Sequence, residues 1–223
     1  MMRTLSKHIF YPLWDLKDRS GRLREWKTLE EQQWWPRQKL LDLQFKRLQD
    51  MLIYASNHSP HYRKIFTEQG IEPGAINSKA AFEAVPVTTK QDIRNNLDQF
   101  VSDEFSKTDL VMAKTGGSTG VSLNLYFDEA CQERRNGAQL MADRWAGWDL
   151  GMKMASVWGN PPVAETLKQK LRLHLLDRTI YLDTMDLNDK SMGEFVERWR
   201  REQPGAVFGH AHSIFIFANY LVS

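Results

Sequence analysis

Cysteine is nearly absent from this chain: Cys131 is the only one among 223 residues. That excludes an internal disulfide framework and any zinc site built from several thiolates, and it fits a reducing compartment. Long hydrophobic runs are also missing. No stretch approaches the roughly 20 apolar residues that span a bilayer. The apolar run Ile9–Trp14 is broken by Pro12 and stopped by Asp15, too short and too interrupted for a signal peptide. A cytoplasmic protein is expected. Neither charge sign dominates, with 30 Lys and Arg against 28 Asp and Glu. So even a balance gives no electrostatic case for nucleic acid or a membrane as the main partner. Gly (13) and Pro (8) are too few for a fibrous or low-complexity chain. What is plentiful is bulk: 8 Trp, 11 Phe and 6 Tyr, material for a core or for gripping a flat apolar ligand.

The hydrophobic pattern changes character near residue 108. Residues 1–35 read as a polar, aromatic, irregular arm that Trp26, Trp34 and Trp35 dock onto something larger. Pro36 suits the start of a long helix reaching about His58, because Leu41, Phe45, Leu48, Leu52 and Ala55 recur at spacings of three and four. Asn57-His58-Ser59-Pro60 ends it. Shorter helices are predicted at Tyr62–Gln69, within 71–85, and at Lys90–Leu97 behind a Thr88 or Thr89 cap. Strands and helices then alternate. Strands are predicted at Leu110–Ala113, Leu123–Phe127, Ala155–Trp158, Thr179–Leu182 and Ala206–Phe208. The intervening helices are Asp128–Gly147, Val163–Leu176 and Lys190–Glu202, with a last one from Ser213. The fold class is therefore α/β: a mostly helical region, 1–107, followed by a layered α/β region, 108–223. The last helix, Ile214–Val222, is apolar without a stop signal: it is either a terminal helix docked in the core or, the favoured reading, the front part of a longer protein whose sheet continues.

One segment carries chemistry. Between two predicted strands lies Lys114-Thr115-Gly116-Gly117-Ser118-Thr119-Gly120-Val121-Ser122. Gly116, Gly117 and Gly120 let the backbone turn and let N–H groups converge, while Thr115, Ser118 and Thr119 add hydroxyls. Such a loop suits phosphate oxygens. It is neither a Walker A loop, which needs Lys and Ser or Thr directly after the last glycine and then a helix, nor a dinucleotide fingerprint. On residues alone, a ligand-free Gly/Ser hairpin turn explains it equally well.

Thr115–Gly120 resembles the Thr-Ser/Gly-Gly-Ser-Thr-Gly phosphate loop of adenylate-forming enzymes. Ala55-Ser56-Asn57-His58-Ser59-Pro60-His61-Tyr62-Arg63 is similar to the helix end with Ser-Pro-x-Tyr-Arg found in one branch. Pro86-Val87-Thr88-Thr89-Lys90-Gln91-Asp92-Ile93 resembles that branch's Pro-x-x-x-Lys-x-Asp segment. Trp145-Ala146-Gly147-Trp148 and Trp158-Gly159 match the stretch after the loop. Together these resemble the phenylacetate–CoA ligase family of the adenylate-forming (ANL) superfamily, especially its CapK-type, capsule-biosynthesis branch, over residues 30–223.

The resemblance implies an incomplete subdomain of the adenylate-forming fold. It implies a reaction of a small-molecule carboxylate with ATP and Mg²⁺, giving acyl-AMP and pyrophosphate, with coenzyme A as a further substrate. Thr115, Gly116, Gly117, Ser118, Thr119 and Gly120 would then hold the β,γ-phosphates. Val121-Ser122 replaces the family's frequent Lys-Pro and removes one phosphate charge. The adenine- and ribose-binding segments and the domain with the catalytic Lys come later in the family. The expected partner is thus the missing C-terminal half of the same protein or a partner chain. The alternative is a truncated, non-catalytic binding module in polysaccharide biosynthesis.

Other residues have plainer readings. His210 and His212, at a strand-to-helix junction, are either a polar pair at a helix start or contacts of the acyl pocket, to which the resemblance assigns the stretch. No third ligand at metal spacing joins them. Arg63 and Lys90 read as salt-bridge residues. Trp145, Trp148 and Trp158 read as core, with stacking on a substrate as the alternative, and Cys131 as packing.

Overall fold

The computed structural model describes residues 1–115 and 122–222. In chain order the helices before the first strand are α1 (Met2–Leu5), α2 (Tyr11–Asp18), α3 (Arg22–Gln32), α4 (Arg37–His58), α5 (Pro60–Glu68), α6 (Lys79–Glu83), α7 (Lys90–Asn95) and α8 (Leu97–Phe100). Then come β1 (Val111–Lys114), β2 (Asn124–Phe127), α9 (Glu129–Trp145), β3 (Met154–Val157), α10 (Leu167–Arg172), β4 (Thr179–Leu182), α11 (Asp189–Glu202), β5 (Ala206–Gly209) and α12 (Ala211–Val222). The fold class is α/β, as expected. By packing, the chain forms two compact units: Glu30–Glu133, and Met1–Leu29 with Arg134–Ser223. The change at residue 108 marks a shift in pattern, whereas these units record which segments pack together.

In the unit Glu30–Glu133, α4 is long because Leu41, Phe45, Leu48, Leu52 and Ala55 recur at spacings of three and four along one face. It stops where Pro60 forces Ser59 into extended backbone (φ −108°, ψ 117°). Leu52, Phe66 and Ile76 form the core, with Leu48, Tyr62 and Ile65 against it. Thr89 caps α7 as expected. Its hydroxyl accepts from the Asp92 N–H (3.2 Å) and its own N–H donates to the Asp92 carboxylate (2.8 Å). Arg63 pairs with Asp103 at 2.9 Å, in line with its salt-bridge reading, and the Arg63 hydrogen bond holds the Asp103 carboxyl below its ordinary range. β1 and β2 pair antiparallel, Val111 opposite Phe127 and Lys114 opposite Asn124.

The other unit is built on a parallel sheet of order β4-β3-β5. Ala155, Val157, Ile180 and Leu182 fill one core with Met192 and Phe195 of α11 and Phe217 of α12. A second core gathers Tyr11, Trp26, Trp148, Leu150 and Leu176.

Several expectations are corrected. The N-terminal arm is helical, not irregular. α1 and α2 are joined by a π turn, Ser6–Phe10. Pro12 lacks the N–H that would bond His8, and the wider turn absorbs its ring. The helix predicted from Val163 starts only at Leu167, where Thr166 and Gln169 form a capping box. Trp34 (82% exposed) does not dock the arm, and Trp145 (67%) and Trp158 (40%) are not core. Trp26 and Trp148 are buried, and Cys131 is half-buried.

Candidate functional site

The expected phosphate loop falls largely outside the described residues: Gly116, Gly117, Ser118, Thr119 and Gly120 lie there, and Thr115 alone is described. Thr115 closes the β1–β2 ladder beyond the last strand pair. Its N–H donates to the Leu123 carbonyl (2.9 Å), and its Oγ1 accepts from the Leu123 N–H (2.9 Å). The hydroxyl thus stands in for a backbone acceptor and keeps its own O–H to donate. Leu123, buried on the other side of the pair, fixes the second root of the intervening sequence.

A second place is built by the parallel sheet. Val157 faces Leu182 on one side and Gly209 on the other, so the chain leaves all three strands at one end. Trp158, Asp183 and His210 are the first residues beyond it. β3 lies between its sequence successors, so the strand order reverses there. In open α/β sheets, ligands bind in the crevice outside the carboxyl ends of strands at such a reversal. Here that crevice lies between β3 and β5.

Its surface is aromatic. The His210 ring stacks on Trp158 with centroids 3.7 Å apart and planes at 17°. Phe208 lies against the same indole at 5.3 Å and 23°. All three are solvent-exposed, so they form a shelf and not a core. Backbone hydrogen bonds fix the shelf: Trp158 N–H to Leu182 C=O (3.1 Å), Thr184 N–H to Trp158 C=O (3.3 Å) and His210 N–H to Val157 C=O (3.3 Å). Gly209 makes the approach of β5 to β3 possible, since a Cβ there would stand 2.4 Å from the Val157 carbonyl oxygen. Gly159 keeps the rim low, because a Cβ on it would meet Thr184 Oγ1 at 3.2 Å.

His210 is therefore brought together with Trp158 and Phe208. His212, in the first turn of α12, is exposed. Thr115 belongs to the unit Glu30–Glu133, and the two histidines to the other. Sequence reasoning favoured core over stacking for Trp158 and missed Phe208 as a surface group. The available signal was position: Trp158 follows a parallel strand directly, as His210 does. Among the described residues no three His, Cys, Asp or Glu side chains are grouped to hold a metal. None of the described helices is long and apolar enough to cross a membrane.

The architecture is that of the N-terminal region of an adenylate-forming ligase. A 2-hydroxyisobutyryl-CoA ligase in an open conformation, bound to 2-HIB-AMP and CoA, superposes with a TM-score of 0.60 at 20% identity, over 80% of this chain and 42% of its own. In sequence, the chain is similar to protein CapK of Staphylococcus aureus, 25% identical over 185 residues, which is 82% of this chain and 40% of CapK. It is also similar to the phenylacetate-coenzyme A ligase of Aromatoleum evansii, 39% identical over 54 residues, 24% of this chain and 12% of that one. No protein-family model matches. The resemblance to CapK and the phenylacetate–CoA ligases stands, and the chain spans about two fifths of the length of CapK.

Proposed function

We propose that this chain is the N-terminal part of an acyl-adenylate-forming CoA ligase. In the first half-reaction a carboxylate oxygen attacks the α-phosphorus of ATP, the α,β-bridging P–O bond breaks, and pyrophosphate leaves with the electron pair. In the second, the coenzyme A thiol attacks the acyl carbon, loses its proton, and AMP leaves. The carboxylate is a poor electrophile until AMP supplies a good leaving group.

On this reading Thr115–Gly120 cradles the β,γ-phosphates. Backbone N–H groups and hydroxyl donors there meet charge as it builds on the departing pyrophosphate. The observation that carries the reading is the sequence Thr-Gly-Gly-Ser-Thr-Gly held between β1 and β2, with Thr115 pinning its first residue to Leu123. Among the described residues no three His, Cys, Asp or Glu side chains are grouped to hold the divalent ion expected with ATP, so the reading assigns it no ligand among them. The carboxylate's hydrocarbon or aryl part docks on the shelf of Trp158, Phe208 and His210. His210 and His212 supply polar contacts at its edge.

The test is acid-dependent ATP–pyrophosphate exchange by the complete gene product, screened over aryl and small hydroxy acids. His210→Ala is expected to raise the KM for the acid more than the KM for ATP. Exchange with no acid in the screen, or an equal change in both constants, contradicts the assignment of the shelf. A gene product without any exchange favours the non-catalytic binding module.

A further inference from the structure

The helices at the N-terminus pack Tyr11 into a core with Phe10 and Trp14 against it, yet they also bury polar groups and expose a stripe of apolar ones, a feature independent of the ligase reading. Their buried positions include polar residues. Ser6 is fully buried and its hydroxyl donates to the Leu175 carbonyl (2.6 Å). Tyr11 donates to the Leu176 carbonyl (3.2 Å). Asp15, 6% exposed, pairs with Arg22. Their outward positions are apolar: Ile9 is 44%, Leu13 58% and Leu16 78% exposed. Those three are spaced by four and three, so they form one stripe.

The neighbouring α10 repeats the pattern. Leu167 (73%) and Leu171 (43%), four residues apart, also face outward. The two elements are tied side by side: Lys168 Nζ reaches Asp18 at 3.1 Å, and the Lys168 and Lys17 ammonium groups stand 5.9 and 5.2 Å from the Trp14 ring. The charge around the leucines is one-sided. Leu16–Arg19 and Leu167–Arg172 carry Lys17, Arg19, Lys168, Lys170 and Arg172 against Asp18 alone. A whole chain near neutrality therefore conceals a basic, leucine-studded face.

Leucines ringed by Lys and Arg, with a tryptophan at the edge, are the chemistry of a helix lying in a bilayer interface: apolar side chains enter the acyl boundary while cations meet anionic headgroups. We propose that α2 and α10 form a peripheral docking face for an anionic lipid surface. The sign of the rim selects this occupant: Lys168 is met by Asp18 and Arg172 by Asp177, but Lys17, Arg19 and Lys170 would be left beside the leucines without an anionic counterpart against a neutral partner surface.

The test is co-flotation of the 223-residue chain with vesicles of phosphatidylglycerol in phosphatidylcholine, against phosphatidylcholine alone. The chain is expected to float with the anionic vesicles and to be released by added salt. Leu13→Ser with Leu16→Ser is expected to weaken partitioning about tenfold or more, because apolar area is lost. Lys17→Glu with Lys170→Glu is expected to do the same with the leucines intact. Both double variants should keep the wild-type circular-dichroism melt. No partitioning to anionic vesicles overturns the proposal, as does undiminished binding by both variants. Sedimentation showing that the leucine variant only abolishes self-association would assign the face to a second copy instead. A leucine variant that fails to fold leaves the charge variant to decide by the same criterion.

Discussion

Thr115, Gly209 and Trp158 each act through one atom-scale contact. The Thr115 hydroxyl accepts from the Leu123 N–H at 2.9 Å. Thr115→Val keeps the shape and removes that acceptor. A loss of about 1 kcal/mol is expected, read as a lower urea midpoint, with Thr115→Ser close to wild type. At Gly209 the issue is space. An alanine Cβ would stand 2.4 Å from a backbone oxygen that cannot rotate away, so β5 must shift off β3. Gly209→Ala is expected to destabilise by about 1–3 kcal/mol and to loosen the His210–Trp158 stack. Retention of wild-type stability would mean that the strand ends sit farther apart than described. Trp158 also shows why a residue's size misleads. A tryptophan after a strand reads as core, yet here one face carries His210 and the indole is 40% exposed.

The N-terminal helices are held at the loop Asp149–Met152 by charge and by a missing side chain. Lys7 reaches the Asp149 carboxylate at 2.6 Å, Arg3 at 3.6 Å and Arg144 at 3.7 Å. Gly151, at φ +78°, leaves room for the Arg3 carbonyl, which a Cβ would approach to 2.5 Å. Burial pushes the Asp149 carboxyl up. The Lys7 hydrogen bond, the Leu150 N–H and Arg144 outweigh it and hold the group below its ordinary value. A depressed folded-state pKa stabilises above the unfolded carboxylate pKa, and that stability is lost as pH falls through the folded value. The helices should thus loosen in acid below about pH 4, read as faster amide exchange at residues 2–18 than in α11. Lys7→Ala is expected to move that loosening to higher pH, and an unchanged acid profile would count against this contact. The same helices mark the limit of what the sequence reveals. The periodicity of α4 and the alternation after residue 108 were legible because apolar side chains there face a core. The arm was not, because its buried face includes Ser6 and Asp15, Leu13 and Leu16 face out, and Pro12 looks like a breaker until a π turn accommodates it. In the candidate site, His210 was legible from its strand-to-helix position. Its stacking partner was not, since a side chain's exposure is decided by which strands end beside it. The start of α10 was misplaced because Thr166 and Gln169, and not the preceding Val163, set the cap.

At the scale of the molecule, the chain is similar in fold to a 2-hydroxyisobutyryl-CoA ligase and in sequence to CapK, over about two fifths of the length of each. A nearly even total charge conceals the basic face on α2 and α10, so composition alone could not disclose it. The central claim is that Thr115–Gly120 works on the phosphates of ATP during acyl-adenylate formation. It is tested most directly by ATP–pyrophosphate exchange with the complete gene product, comparing wild type, Gly117→Val and Val121→Lys at saturating acid. A β-branched side chain at Gly117 restricts φ and blocks the approach of phosphate. A lysine at position 121 adds only a mobile positive charge. The account predicts that Gly117→Val abolishes exchange, while Val121→Lys retains it with an equal or lower KM for ATP. Wild-type exchange kinetics in Gly117→Val would contradict it and reduce the segment to a hairpin turn.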